Sequence, residues 1–174
     1  MVWDPTRRTP LYKLTLPGVS HCLALAGDRL WLGLESGAVV AWQHLGGGRL
    51  VCSQVSPLQC GTAPQGLQEL GGHAARVTAL QADKRFLLSG AADGSAAVWS
   101  ALDGTRLRGL EGHTSPLTCA CLAAPLAATG ARGAERAVRL WNIHTGDCLR
   151  VLRLENNVRS LDFDHERFEI HEFL

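Results

Sequence analysis

Residues 71–100 read GGHAARVTALQADKRFLLSGAADGSAAVWS. Short apolar runs alternate here with turn residues. Arg76 to Leu80 has the period-2 alternation of a half-buried strand, and Phe86 to Ala91 is an apolar run ending in small residues. Asp93-Gly94 is a hairpin turn signal, because glycine and aspartate tolerate the backbone angles that tight turns need. Ser95 to Trp99 returns, and Thr105 to Leu110 follows a second turn at Asp103-Gly104. The stretch predicts four short strands in one antiparallel sheet. One such sheet cannot bury both faces, so copies of it must stack.

A second copy lies directly downstream, at residues 111–142, EGHTSPLTCACLAAPLAATGARGAERAVRLWN. Both stretches open on Gly-His and close on an apolar-Trp-polar triplet. From His73 to Ser89 is 16 positions, as it is from His113 to Thr129. Ser89 to Trp99 is 10 and Thr129 to Trp141 is 12, so the later copy carries two extra residues within Ala131 to Glu135. Two further copies are degenerate. Residues 16–43 keep the strand pattern up to Trp42 but have Leu16 and Leu32 where the clean copy has His73 and Ser89. Gly146 to Asp164 reads as an outer strand followed by the opening strand of another copy, and Val2-Trp3-Asp4 reads as the closing end of a copy. Trp42 to Trp99 is 57 positions against 42 from Trp99 to Trp141. The excess falls in 46–70, with Gly46-Gly47-Gly48, Pro57 and Pro64, and is expected as an inserted loop holding one extended piece at Arg49 to Val55.

Composition narrows the function classes. Hydrophobic residues make up 46% and charged residues 19% of 174, with mean hydropathy +0.03, which supplies a core and argues against disorder. The net charge is +1, and the cations are scattered arginines apart from Lys13 and Lys84, so no nucleic-acid footprint is expected. No run approaches the ~20 apolar residues of a membrane span, and no signal-peptide pattern opens the chain. The cysteines Cys22, Cys52, Cys60, Cys119, Cys121 and Cys148 are irregularly spaced, without C-x-x-C, and are expected as reduced structural thiols inside a cell.

The repeat resembles the WD-repeat family, whose period is about 40–45 residues and whose marks are Gly-His followed by Trp-Asp. The likeness covers most of residues 1–164 and is most specific over 71–148. It implies an all-β fold of β-propeller blades, each a four-stranded antiparallel sheet, with about three full blades and partial blades at both ends. The expected organisation of 1–174 is one WD-repeat domain or fragment, with repeats near 11–45, 71–110 and 111–152, a partial one at 153–174, and 46–70 inserted. Family members usually have seven blades, so a segment of a larger ring, or a shortened isoform with exposed edges, is expected.

By position, the resemblance also implies a hydrogen-bonded network inside each blade: His73, Ser89, Asp93 and Trp99 in the clean copy, and His113, Thr129, Glu135 and Trp141 in the next. The chemistry is compatible, since a carboxylate accepts from an imidazole N–H, an imidazole pairs with a hydroxyl, and a buried indole N–H needs an acceptor. The Trp-Asp dipeptide survives only at Trp3-Asp4, becoming Trp42-Gln43, Trp99-Ser100 and Trp141-Asn142.

The same residues invite other readings. His73, Ser89 and Asp93 could be read as a hydrolytic triad, but the pattern repeats at blade period, and no G-x-S-x-G elbow is present. His165 and His171 with Glu166, Glu169 and Glu172 lack the H-E-x-x-H spacing of a metal site, and the alternation from Phe168 to Leu174 fits a strand. The acidic stretch from Asp162 to Glu172 otherwise reads as a solvated terminus. Gly46-Gly47-Gly48 lacks the lysine of a phosphate loop. No catalytic residue, metal or cofactor is therefore expected. The resemblance implies a protein-interaction scaffold whose partners, other proteins, dock on the face carrying the Gly-His loops and hairpin turns, near Ala75, Arg76, Ala92, Ser115 and Arg132. The substrate-recognition part of a ubiquitin-ligase complex is one subclass it allows, although no F-box is visible. The alternative is a structural module or truncated isoform without binding of its own. An intracellular place, cytoplasmic or nuclear, and no membrane association are expected.

Overall fold

Asp93-Gly94 does turn the chain back on itself, with Gly94 at φ +86°, a conformation that favours glycine. The computed structural model describes residues 2–4, 9–12, 16, 18–45, 49–51, 68–70, 72–164 and 167–172, with side chains for 16, 18–42 and 72–163. All the regular structure among these residues is β. A leading pair, β1 (Val2–Asp4) and β2 (Thr9–Tyr12), is followed by β3 (Ser20–Ala26), β4 (Arg29–Leu34), β5 (Val39–Leu45), β6 (Arg49–Val51) and β7 (Gln68–Leu70), which make the first blade. The second blade is β8 (Val77–Ala82), β9 (Phe86–Ala91), β10 (Ala96–Ser100) and β11 (Arg106–Leu110). The third is β12 (Leu117–Ala123), β13 (Leu126–Ala131), β14 (Ala137–Asn142) and β15 (Cys148–Arg153), and a trailing pair is β16 (Val158–Asp164) and β17 (Arg167–Glu172). Every pairing is antiparallel between neighbours. The chain is thus an all-β, partial propeller.

The stretch 46–70 is more than an inserted loop. β6 pairs with one end of β5, opposite Gln43 to Leu45, and β7 pairs with the other, opposite Val39 to Ala41. Val39 faces Leu70 as Ala96 faces Leu110 in the second blade, so β7 occupies the outer-strand position. The insertion leaves at β6 and the chain returns at β7. Gly46-Gly47-Gly48, Pro57 and Pro64 lie outside the described residues, as do Cys52 and Cys60.

The first strands of successive blades pack on one another in chain order, β3 on β8, β8 on β12 and β12 on β16. Because side chains alternate across a strand, each blade buries two faces. Between the first and second blades Ala24, Trp31, Val39 and Ala41 meet Val77, Leu87 and Trp99. Between the second and third, Phe86, Leu88, Ala96 and Val98 meet Leu117, Leu122, Ala127 and Trp141. Between the third and the trailing pair, Cys119, Cys121, Ala128 and Val138 meet Val158 and Leu161. Each large side chain buried this way contributes about 1.5–3 kcal/mol. Stacking, not any isolated sheet, holds the fold.

Candidate binding face

The network residues of the second blade come together in the layer covered by the first. Trp99 Nε1–H donates to Ser89 Oγ at 2.8 Å, and Ser89 Oγ lies 2.7 Å from His73 Nε2. On the other side of the ring, His73 Nδ1 is 2.5 Å from Ser95 Oγ, which donates to Asp93 Oδ1 at 2.6 Å. The donors fix the order: Trp99 N–H to Ser89, Ser89 O–H to His73 Nε2, His73 Nδ1–H to Ser95, Ser95 O–H to Asp93. Asp93 was expected to accept directly from His73; Ser95 stands between them. The carboxylate is held by Ser95 N at 2.8 Å and Ala74 N at 2.8 Å.

The third blade reaches the same result with one fewer hydroxyl. His113 Nε2 lies 2.7 Å from Thr129 Oγ1, which accepts from Trp141 Nε1–H at 2.8 Å. Glu135, one methylene longer than aspartate, meets His113 Nδ1 directly at 3.0 Å and accepts from Thr114 N at 2.7 Å. Arg139 Nε adds a third donor at 3.1 Å. The two-residue insertion makes a loop with Gly133 and Arg136 at positive φ, and Glu135 swings in from it. In the first blade Leu32 and Val40 fill the same layer as an apolar cluster with Trp42.

Burial lowers the pKa of His73 and of His113 below the ordinary 6.5, against the opposing pull of the neighbouring carboxylate. Burial alone would raise Asp93 and Glu135; hydrogen bonds from Ser95 and Ala74 to the first, and from Thr114 to the second with the His113 charge beside it, outweigh it and leave both below their usual values. This is not the geometry of a hydrolytic triad. Ser89 and Thr129 are fully buried, and each oxygen is already paired with an imidazole and an indole. The described cysteines Cys22, Cys119, Cys121 and Cys148 are free thiols, and burial pushes Cys22 and Cys119 up to about 11, so neither is a ready nucleophile. Among the described residues, no group of three or more His, Cys, Asp or Glu is placed to hold a metal, and no helix is long and apolar enough to cross a membrane. The side chains of His165, Glu166, Glu169, His171 and Glu172 lie outside those described.

One face of the arc is built differently. On it the β9–β10 turn meets the loop before β12: a Cβ on Gly94 would lie 3.0 Å from the His113 carbonyl and 3.2 Å from that of Ser115. The β4–β5 turn at Gly37 meets the His73 and Ala75 carbonyls in the same way. One backbone tie recurs in three blades, Glu35 N to Val19 O at 2.9 Å, Ala92 N to Arg76 O at 3.0 Å and Arg132 N to Pro116 O at 3.1 Å. It sets Arg76 beside Ala92 and Arg132 beside Pro116. Arg76 and Arg132 are exposed, Ala75 and Ala92 half-buried, and Ser115 buried. Sequence reasoning missed Asn157, whose Oδ1 accepts from Gly133 N at 2.8 Å, and Arg136, whose Nη1 donates to Glu155 O at 2.9 Å; both tie this face of the third blade to the trailing pair.

Residues 65–100 match the family model described as WD domain, G-beta repeat. Eukaryotic translation initiation factor 3 subunit I of Debaryomyces hansenii is 31% identical over 99 residues, covering 55% of this chain and 28% of that protein. The protein of the same description from Danio rerio is 31% identical over 97 residues, covering 55% and 30%. The chain therefore spans less than a third of the length of these relatives. Among solved structures, the computationally designed Ika4 protein superposes with TM-score 0.73 at 25% identity, over 94% of this chain and 98% of that one. A chain of the mitotic checkpoint complex superposes with TM-score 0.76 at 21% identity, over 97% of this chain and 48% of its own, a likeness of fold alone.

Proposed function

This is a chain of WD repeats folded as part of a β-propeller, and on that premise we propose that it works as a non-catalytic protein-interaction scaffold, with partners docking on the face that carries Arg76 and Arg132. One observation carries the reading. The polar groups with chemical potential, His73, Ser89, His113 and Thr129, are turned into blade interiors and satisfied there, whereas the turn-and-loop face presents exposed arginines on backbone fixed by recurrent ties. A rigid scaffold bearing exposed side chains on loops is the usual form of a binding surface.

The relatives are named as subunits of translation initiation factor 3, which favours a module inside a larger assembly over the ubiquitin-ligase subclass that the sequence allowed. On this reading the chain works inside the cell, in the cytoplasm, with other proteins as its partners. The test is affinity capture with the chain and with the double variant Arg76→Glu/Arg132→Glu, both checked for native β content. Specific partners held by the first and lost by the second support the face as the docking site. Partners retained at full strength by the variant would remove it, and hydrolytic activity abolished by Ser89→Ala in a still-folded chain would revive the enzyme reading.

A further inference from the structure

We propose that the segment docking on this face is acidic, its carboxylates received by Arg76 on the second blade and by Arg132 and Arg136 on the third. The inference rests on the docking face proposed above and names what fits it. The three cations share one continuous surface. The first strands pack on one another, β8 on β12 and β12 on β16, so they run innermost. Arg76 stands directly before β8, and its carbonyl accepts from Ala92 N at 3.0 Å. Arg132 directly follows β13, and its N–H donates to the Pro116 carbonyl, before β12, at 3.1 Å. Between them the Gly94 turn abuts the third-blade loop, where a Cβ would meet the His113 and Ser115 carbonyls at 3.0 and 3.2 Å. Beyond Arg132, Gly133 N donates to Asn157 Oδ1 at 2.8 Å, and Arg136 ends the same loop before β14. Backbone contacts therefore hold the arginines in fixed relation, which lowers the ordering cost when a partner binds.

What these arginines lack is a carboxylate. The ion pairs among the described residues are His21–Glu35, His113–Glu135 and Arg139–Glu135, and none includes Arg76, Arg132 or Arg136. The acidic groups closest to them in sequence are engaged elsewhere. Asp93 is taken up by Ala74 N, Ser95 N and Ser95 Oγ, and Glu135 by Thr114 N, His113 and Arg139. Arg136 donates from Nε to the Gly133 carbonyl at 3.3 Å and from Nη1 to the Glu155 carbonyl at 2.9 Å. These neutral acceptors fix its guanidinium without cancelling the charge. Counting back five from each tryptophan, Arg136 stands where the second blade has Gly94. Gly94 has φ +86° and Arg136 +42°, a region that L side chains seldom adopt. Strain of that kind concentrates at binding and switching sites. Nineteen positions after its histidine, the third blade likewise has Arg132 where the second has Ala92. The longer loop thus adds two cations to the face while Glu135 is drawn inward.

A protein segment with spaced carboxylates fits this arrangement better than a nucleic acid. The same loops carry Asp93, Glu111, Glu135 and Glu155 between the cations, so a continuous phosphate backbone would run against like charge. Single carboxylates can each meet one guanidinium, the planar fork that receives both oxygens. The loops 72–76, 92–95, 111–116, 132–136 and 155–157 also contain no Phe, Tyr or Trp, and their His73 and His113 are buried. They offer no platform on which bases could stack.

The test is fluorescence anisotropy of the full 174-residue chain with a labelled peptide of alternating glutamate and glycine. Beside it run the same peptide with glutamine for glutamate, and an oligothymidylate of equal charge. The glutamate peptide should bind roughly 10-fold or more tighter than the glutamine one, as three ion pairs of about 2–5-fold each would give, and should weaken as salt rises to about 0.15 M. Arg76→Gln/Arg132→Gln should weaken it about 4–25-fold with unchanged β content. Arg136→Gly, which suits the φ there, should weaken it about 2–5-fold. Arg150→Gln/Arg153→Gln removes the same charge from exposed positions on β15 and should leave binding unchanged. Equal affinity for the two peptides would overturn the proposal. So would equal weakening by the two double variants, which would mean that net charge alone attracts the peptide. Tighter binding of the oligothymidylate, lost in Arg76→Gln/Arg132→Gln, would assign the face to a phosphate polymer and overturn the proposal too. The docking face itself is judged separately. A captured partner that is lost from Arg76→Glu/Arg132→Glu yet held as firmly at high salt keeps the face and overturns the acidic partner, whereas a partner retained by that variant removes both.

Discussion

Glu135 Oε1 accepts from Arg139 Nε at 3.1 Å while it sits 3.0 Å from His113 Nδ1, so one oxygen serves an imidazole and a guanidinium. Its counterpart in the second blade, Asp93, serves no arginine among the described residues and reaches His73 through Ser95. Removing the carboxylate therefore leaves different remnants. Glu135→Ala strands His113 Nδ1 and the half-buried Arg139, a loss of about 1–3 kcal/mol. Asp93→Ala leaves the His73–Ser95 bond in place and removes only the more exposed bonds from Ala74 N, Ser95 N and Ser95 Oγ, so it should cost less than Glu135→Ala, about 1–2 kcal/mol. Urea unfolding of the two variants should rank them in that order; equal losses would show that Ser95 does not sustain the network alone.

Thr129 is fully buried and its one oxygen serves both His113 and Trp141. Thr129→Val keeps the volume and deletes the oxygen, which leaves an imidazole nitrogen and an indole N–H without partners. The expected cost is about 2–6 kcal/mol, for two buried unpaired groups. Thr129→Ser, the residue type that the second blade uses at Ser89, should cost below about 1.5 kcal/mol, the loss of one methyl. Thermal or urea midpoints separate the two.

How far the sequence could be read follows from where the signal lies. The second and third blades were legible because His73, Ser89 and Trp99 recur as His113, Thr129 and Trp141, and polar residues buried at fixed spacing stand out against an apolar background. The first blade was legible only as a strand pattern, since Leu16 and Leu32 replace the polar members with residues that any core contains. The split outer strand was not legible: Gln68–Leu70 is too short to show a period, and its partners on β5 lie 27 to 31 positions back across the insertion. Ser95 was hidden because a serine after Asp-Gly is common in turns, and the third blade, with Glu135 reaching the ring itself, does not repeat it. Arg139 lies four residues from Glu135 on an extended strand, a spacing that points to no contact in a β reading; the loop at Gly133 and Arg136 brings the two together. Nothing in the apolar run around Leu23 and Leu25 marks these two side chains as exposed.

Gly130 and Gly90 occupy equivalent positions on the second strands of their blades, yet they differ in what surrounds them. A Cβ at Gly130 would meet Cys119 Sγ at 2.6 Å and Val158 Cγ1 at 2.8 Å, the second a β-branched group with little freedom. At Gly90 the nearest atom would be the Leu117 Cδ1 tip at 3.0 Å, with Leu117 Cβ at 3.5 Å and Ala79 Cβ at 3.9 Å in ordinary contact. Gly130→Ala should therefore cost about 1–3 kcal/mol by overpacking, and Gly90→Ala clearly less. Gly130→Ala combined with Val158→Ala should recover part of the clash, which a double-mutant cycle in urea would measure as a coupling of opposite sign to the single losses.

The two buried histidines set a pH dependence of stability. In the folded chain His73 and His113 have pKa values below 6.5 because burial disfavours their charged forms, and each Nε2 is already taken up as an acceptor. Between the lowered folded value and the ordinary unfolded value, the unfolded chain binds more protons, so stability falls as pH drops through that window and levels off below it. Asp93 and Glu135 are held below 3.8 and 4.5, and they act at lower pH. The stability they contribute is complete above those unfolded values and is lost as pH falls through the folded ones. Urea midpoints measured from about pH 7.5 down to about pH 3 should show two declines, an upper one below 6.5 and a lower one in the carboxylate range. The double variant His73→Asn/His113→Asn, less stable at neutral pH, should lack the upper decline and keep the lower. An upper decline that survives in that variant would mean that other groups titrate there and that the two network histidines are not its source.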